Sequence, residues 1–483
     1  MSLSRRRFLE DSMLATAAAL LASMPRQAPA AEAPQSKSPN EKLGVAVVGV
    51  RGRGGAHIRA FATRDDTEVL YLCDPDTAVL EARARGTEKL QGRRPQLVRD
   101  LRKLLEDPRV DIVSIATPNH WHALAAIWAM QAGKDVYLEK PVSHNVSEGR
   151  RIVQAAAKYG RICQTGTQCR SNPGMRQAMQ LIHQGKIGTV RLARGLCYKR
   201  RRSIGPRGTY PIPKTVDYNL WSGPAPIRPL TRPRLHYDWH WQWDYGNGDL
   251  GNQGIHQMDL CRWALQVSDI GRGVLSYGGR LGYEDAGETA NTQVTVHAYG
   301  AKRIVFEVRG LETAPFRGAK VGIIVYGSEG YFVSPSYSGG TFFDPEGKPV
   351  QTLRNGSDRY HYANFLEAVR SRKPQQLNAP ILEGHLSSAL CHLGNISYRL
   401  GESVVVAEAA QRLGQDQKLQ ETFGRFAAHL EQNGLKPDKT RIALGRRLQV
   451  DPAAETIPGN QQAQAMLTRE YRKPFVVPSE AEL

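Results

Sequence analysis

Three short segments carry side chains whose types and spacing fit redox chemistry on a nucleotide cofactor. The first is Gly49-Val50-Arg51-Gly52-Arg53-Gly54-Gly55, set between an apolar run and a helical stretch. Glycines there let the backbone approach a pyrophosphate, and the next helix presents free N–H groups and the positive end of its dipole. The spacing is Gly-x-x-Gly-x-Gly rather than Gly-x-Gly-x-x-Gly, so the context carries the reading. Asp74 closes the following apolar run, where a carboxylate accepts hydrogen bonds from the adenosine ribose and repels a 2′-phosphate, favouring NAD over NADP. The second segment is Thr117-Pro118-Asn119-His120-Trp121-His122 and the third is Glu139-Lys140-Pro141, each just beyond a strand-like run. Open parallel sheets bind ligands at that edge. The cofactor set is therefore Gly49, Arg51, Gly52, Arg53, Gly54, Asp74, Thr117, Pro118, Asn119, His122, Glu139 and Lys140. Lys140 also fits a catalytic role, orienting a substrate hydroxyl or assisting its deprotonation. Farther on, Tyr237-Asp238-Trp239-His240-Trp241-Gln242-Trp243-Asp244-Tyr245 mixes aromatics with polar groups. Trp239, Trp241, Trp243 and Asp244 there fit sugar binding, by stacking on ring faces and hydrogen bonding to hydroxyls; a packed core or an interface is the other reading.

The elements needed to position these groups are legible. Leu43–Gly49, Glu68–Cys73, Asp111–Ala116 and Asp135–Leu138 are short apolar runs, separated by helical stretches from about Ala56, Thr77, Leu97 and Trp121. Strands alternating with helices at this spacing predict a doubly wound parallel sheet, an α/β Rossmann domain. After about residue 165 the pattern changes to a Pro- and Arg-rich stretch, then alternating runs such as Gln293–His297 and Arg303–Val308. These predict a second, α+β domain on an open and largely antiparallel sheet. The expected divisions are a signal peptide over 1–30, a linker over 31–40, the Rossmann domain over 41–165, the second domain over 166–420 and a polar, surface-wrapping extension over 421–483.

Ser4-Arg5-Arg6-Arg7-Phe8-Leu9, the apolar stretch Met13–Met24 and the small residues Ala28-Pro29-Ala30 together resemble a twin-arginine export signal, which predicts a periplasmic or otherwise exported protein. The apolar stretch is too short for a membrane span and none longer follows, so stable membrane insertion is not expected. The net charge of +19 raises nucleic acid as a partner, but the basic residues are dispersed apart from Lys199–Arg202, and no nucleic-acid-binding signature occurs. The six cysteines include no Cys-x-x-Cys pair, so no metal site is expected; buried thiols are the default reading, with a disulfide open.

The glycine turn, Thr117-Pro118-Asn119-His120-Trp121-His122 and Glu139-Lys140-Pro141 together resemble the Gfo/Idh/MocA oxidoreductase family over about Lys42–Leu400. The export signal extends the likeness to a subgroup containing glucose–fructose oxidoreductase and NAD-dependent glycoside hydrolases. The resemblance implies a Rossmann domain followed by an α/β domain whose open sheet covers the nicotinamide, and self-association through that sheet. Members carry Asp-x-x-x-His on a second-domain helix with a further Asp three residues on. Here His256 and Asp259 match, and Asn252 replaces the first acid. Asn cannot take a proton, so the resemblance leaves Lys140 and His256 to move it, with Asn252 orienting a hydroxyl and Asp259 binding substrate; Asp249 or Asp244 would substitute if the loop folds back. The implied activity is NAD-dependent oxidation of a sugar, polyol or glycoside hydroxyl with a retained, internally recycled cofactor. A glycoside hydrolase working by oxidation, elimination and reduction is the alternative, and a non-catalytic sugar-binding protein is the second.

Overall fold

The computed structural model describes residues 42–483. The export motif, its apolar stretch and the linker lie outside the described residues.

The first sheet has six strands: β1 (Leu43–Val48), β2 (Thr67–Cys73), β3 (Gln96–Val98), β4 (Ile112–Ile115), β5 (Asp135–Leu138) and β6 (Cys163–Thr165). Their order is β3-β2-β1-β4-β5-β6 and every pairing is parallel. The central strands are apolar along their length because helices cover both faces: β1, β4 and β5 are buried at every residue. The order reverses between β1 and β4, which opens a crevice at their carboxyl ends. A helix had been expected over Leu97–Glu106; β3 and only a short helix, Arg102–Leu105, occupy that stretch. Pairing with β2 supplies backbone hydrogen bonds that outcompete the local helical tendency, and Asp100 starts the turn by accepting from the Arg102 N–H at 3.0 Å.

The second sheet has eleven strands: β7 (Leu192–Cys197), β8 (Gly273–Gly279), β9 (Thr292–Tyr299), β10 (Lys302–Arg309), β11 (Val321–Tyr326), β12 (Tyr331–Ser334), β13 (Gly339–Phe343), β14 (Pro349–Arg354), β15 (Glu402–Val405), β16 (Arg441–Leu444) and β17 (Leu448–Gln449). All its pairings are antiparallel except β7 with β10. The helix Ile381–Arg399 packs against β8 and against the first-domain helix Val146–Lys158, joining the two halves.

Residues beyond 400 are more than a surface wrap. β16 and β17 extend the second sheet, and the helix Gln417–Gln432 lays Phe423, Phe426 and Leu430 on Tyr277, Val294 and Val305 of its outer face. Under that helix Glu307 is fully buried among Arg194, Arg309, Arg425 and the Tyr198 hydroxyl, which donates to it at 2.7 Å. Part of the sheet surface expected to serve self-association is thus covered by the chain itself. Phe475, Val477 and Leu483 enter the first-domain core. Polar composition hid these segments because each contributes only a few apolar anchors. All six cysteines are buried and free. Among the described residues no helix is long and apolar enough to cross a membrane.

Candidate active site

The cleft at the β1/β4 crossover is built on three turns. Gly49 takes φ +80°, and a Cβ there would stand 2.7 Å from the Ala116 carbonyl and the Thr117 nitrogen. A Cβ on Gly54, the first residue of the helix Gly54–Ala62, would stand 1.9 Å from the Gly49 carbonyl oxygen. These two glycines fold the turn tightly against β4. Gly52 differs: nothing lies within 4 Å of its Cβ position, so the turn presents bare backbone to the cleft, as a pyrophosphate requires. Arg83 holds the turn from behind, donating to the Val50 carbonyl at 2.8 Å and to that of Arg51.

Asp74 stands at the end of β2, accepting from the Val50 N–H at 3.0 Å and the Asp76 N–H at 3.1 Å. Burial raises its pKa to about 6 against those donors, so above that pH it presents a carboxylate to the cleft. Thr117 Oγ1 is buried on the cleft wall with no partner. Bare glycine backbone, a buried carboxylate and an unused hydroxyl are the donor and acceptor set that a dinucleotide uses, and the residues fit that cofactor.

Lys140 and Glu139 divide their duties. Glu139 is buried and held by Arg53 at 2.8 Å and His57 at 3.2 Å. Burial opposes its charge, yet Arg53 and His57 keep it well below the usual carboxylate range. Arg53 also reaches Asp358 at 3.0 Å, so it braces the site and is not a free phosphate ligand. The Lys140 ammonium donates to the Asn252 carbonyl oxygen at 2.8 Å, with the Asn252 side-chain oxygen at 3.4 Å. Burial, then the nearby Arg53 and Lys199, lower its pKa, although Glu139 and Asp249 oppose this. The two His122 ring nitrogens face the Pro141 and Thr117 carbonyls, at 2.5 and 2.9 Å, locking the strand-end motifs together.

The second side of the cleft comes from the irregular stretch between β7 and the helix Gly248–Asn252. It crosses back over the first domain as a strap, pinned by Thr77 N–H to Thr215 at 3.1 Å, Asp217 N–H to Pro75 at 3.0 Å, and His236 to Asp76 at 2.8 Å. The Trp121 indole donates to the Leu220 carbonyl at 3.0 Å, and His120 Nε2 meets that of Trp221 at the same distance. The strap thereby puts Trp221, Tyr237, Trp239 and His240 on the cleft wall. His240 stacks on Trp239 with centroids 3.6 Å apart, and burial lowers its pKa to about 3, so the ring is neutral.

Of the residues expected from sequence, Gly49, Arg51, Gly52, Arg53, Asp74, Thr117, Pro118, Asn119, His122, Glu139, Lys140, Asn252 and Trp239 line one cleft. Gly54 supports it from behind. His256 stands off that lining: its ring lies 5.0 Å from that of Tyr337, Nδ1 is buried without a partner, and burial together with Lys140 lowers its pKa to about 3. Asp259 is fully buried, paired with Arg170 at 2.8 Å and accepting from Ser387 at 2.9 Å, so it is a packing anion and not a substrate ligand. Trp241 is buried under Arg201 at 5.0 Å, while Trp243 and Asp244 line a different cavity. Neither substitute acid is free: Asp249 is gripped by Arg201 at 2.6 and 2.7 Å, and Asp244 pairs with Arg228 at 2.7 Å. Trp221, His236, Tyr237 and His240 were missing from the expected set; Tyr237 and His240 lay within the aromatic segment, but the strap that delivers these groups has no periodic signal.

Fold and cleft define a two-domain protein built on a dinucleotide-binding Rossmann fold. Residues 43–167 match the model of an oxidoreductase family's NAD-binding Rossmann fold, and residues 199–303 match that family's C-terminal alpha/beta domain. Over these two stretches the chain is similar to the Gfo/Idh/MocA oxidoreductase family. It is 28% identical over 247 residues to a levoglucosan dehydrogenase of Pseudarthrobacter phenanthrenivorans, covering 49% of this chain and 54% of the relative. It is 28% identical over 204 residues to an alpha-N-acetylgalactosaminidase of Shewanella oneidensis, covering 39% of this chain and 44% of the relative. The chain thus spans about half the length of these curated relatives. Among solved structures, the WlbA dehydrogenase from Bordetella pertussis, in complex with NADH and UDP-GlcNAcA, superposes with a TM-score of 0.55 at 22% identity, covering 72% of this chain and 94% of that one.

Proposed function

We propose that this chain is an exported, NAD-dependent oxidoreductase acting on a sugar, polyol or glycoside hydroxyl, with a cofactor that stays bound and is regenerated within the cycle. The observation that carries the reading is Lys140: a half-buried lysine of lowered pKa, 2.8 Å from the Asn252 carbonyl, on the same cleft as the glycine turn and Asp74. When bound, NAD supplies the acceptor for the hydrogen and electron pair leaving the substrate carbon. Gly52 and Thr117 would hold its phosphates and nicotinamide side and Asp74 its ribose hydroxyls, on the turn that Gly49 folds. Lys140 takes the hydroxyl proton at Nζ, and burial, which lowers its pKa, favours the neutral amine that this step needs. Asn252 fixes the direction of that amine and takes up no proton itself. Neutral His240 accepts a hydrogen bond from a second hydroxyl, and Trp239 offers an apolar edge to the ring. The strap favours retention, because it closes over the cofactor crevice from the first domain's own edge.

Purified protein, denatured and analysed for nicotinamide, is expected to release NAD and to oxidise at least one member of a sugar and glycoside panel. Protein that binds no nicotinamide and transforms none of the panel sinks the reading and leaves the sugar-binding alternative. Net release of an aglycone without net change in bound NAD would establish the hydrolase version, which the likeness to an alpha-N-acetylgalactosaminidase favours. Export is checked by fractionation: replacing Arg5 and Arg6 by Lys should hold the tagged protein in the cytoplasm.

A further inference from the structure

The peptides of the glycine turn are aimed by a side chain that belongs neither to the turn nor to the cleft lining. Arg83 lies on the helix Thr77–Gln91, whose Leu80 and Ala84 pack in one cluster with Val50 and Ile58 and so seat it beside the turn. Its Nε donates to the Val50 carbonyl at 2.8 Å, and its Nη2 donates to the Arg51 carbonyl. It has no ion pair among the described residues, so these two carbonyls are what it holds.

The peptide bonds of the turn are trans, and in a trans peptide the N–H points opposite to the C=O of the same plane. Drawing the Val50 and Arg51 carbonyls back to Arg83 therefore turns the N–H groups of Arg51 and Gly52 away from it. Arg51 and Gly52 line the cleft and Arg83 does not, and neither N–H has a hydrogen-bond partner among the described residues. Successive unengaged N–H groups of this kind bind anions. Gly55 fits the same arrangement. It is the second residue of the helix Gly54–Ala62, where alanine would be the better helix former. A Cβ there would stand 3.0 Å from Cζ and both Nη atoms of Arg83, so the glycine leaves room for the guanidinium.

We infer that Arg83 is a positioning residue of the cofactor site, which directs the Arg51 and Gly52 N–H groups at the pyrophosphate by holding the two carbonyls behind them. The inference rests on NAD as the occupant of the cleft. It also accounts for a turn that works with arginine at position 51, because the direction of its peptides is imposed from the neighbouring helix.

The test measures binding of NAD, and of adenosine, which has no phosphate, to the full chain stripped of bound nucleotide, by calorimetry. Arg83→Met keeps an apolar stem and removes the donors. It is expected to weaken NAD by about tenfold or more, leaving adenosine within about twofold of wild type and Tm unchanged. Arg83→Lys, whose ammonium can serve one carbonyl, should recover part of the NAD affinity. NAD affinity within about twofold of wild type in Arg83→Met overturns the inference. So does an equal loss for both ligands, which would make Arg83 a general brace of the cleft. Should adenosine bind too weakly to follow, the rescue decides: recovery in Arg83→Lys supports the inference, and a lysine variant as weak as the methionine one overturns it. Should Arg83→Met fail to fold, Arg83→Lys is set against wild type: weaker NAD at unchanged Tm supports the inference, and wild-type affinity overturns it. Wild-type protein that binds no NAD overturns the reading of the cleft itself, an outcome seen before any substitution is made.

Discussion

The two walls of the cleft handle charge differently. On the Rossmann wall the ionisable groups are locked or tuned: Glu139 stays anionic beside Arg53, Lys140 is pulled toward neutrality, and Asp74 titrates near 6. The second-domain wall offers neutral groups, Asn252 and an imidazole held uncharged at pH values above about 3. Its acids have been withdrawn into ion pairs, Asp249 with Arg201 and Asp259 with Arg170. Under the proposed function this difference assigns proton transfer to one wall and recognition to the other, although Asn252, His256 and Asp259 look like a second set of acid–base groups in sequence.

The sharpest way to break this contrast is Lys140→Ala, expected to lower kcat by about 10²–10⁴-fold while NAD binding and folding persist. Near-normal turnover would move proton transfer to the other wall. Next comes Asp74→Asn, expected to weaken NAD by roughly ten- to a hundredfold and to narrow its preference over NADP. The same carboxylate gives a pH test: its raised pKa means the charged acceptor is present above about 6 and lost below it, so NAD affinity should fall between pH 7 and pH 5. Flat affinity across that range would remove Asp74 from ribose binding. His240→Ala should raise KM by about tenfold with a smaller change in kcat, and His256→Ala should act chiefly on stability; the reverse pattern would restore the family histidine to the reaction. Smallest is Asn252→Asp, which sets a carboxylate beside Lys140, raises the lysine pKa and should move the rate-against-pH profile to higher pH. An unshifted profile would show that Lys140 is not the group being titrated.

Much of the first wall was legible because its signals are local. A buried parallel strand ending in glycine, an acid closing the next strand and a Lys after β5 each follow from one short segment, and strand-end placement gathers them. The second wall was misread where geometry depends on long-range pairing. Trp239, Trp241 and Trp243 are two residues apart, yet the 3-10 turn Asp238–Trp241 and the chain beyond it send them to the cleft, the core and another cavity. Asp259 lies on the helix Gly254–Leu265 near His256, but its partners Arg170 and Ser387 come from distant parts of the chain. No spacing rule exposes such partners. Helix Gln417–Gln432 went unread for a different reason: its docking residues Leu419, Phe423, Phe426 and Leu430 are interspersed with charged and amide side chains.

The strap's pins also set a timescale. Three backbone or side-chain links to Pro75, Asp76 and Thr77, together with the indole of Trp121, tie it across the mouth of the crevice. Where release of a bound molecule requires the strap to part, its lifetime follows the free energy of that local opening as well as its own contacts. Residence time and equilibrium affinity become separately adjustable properties, one written into the strap and the other into the wall it covers.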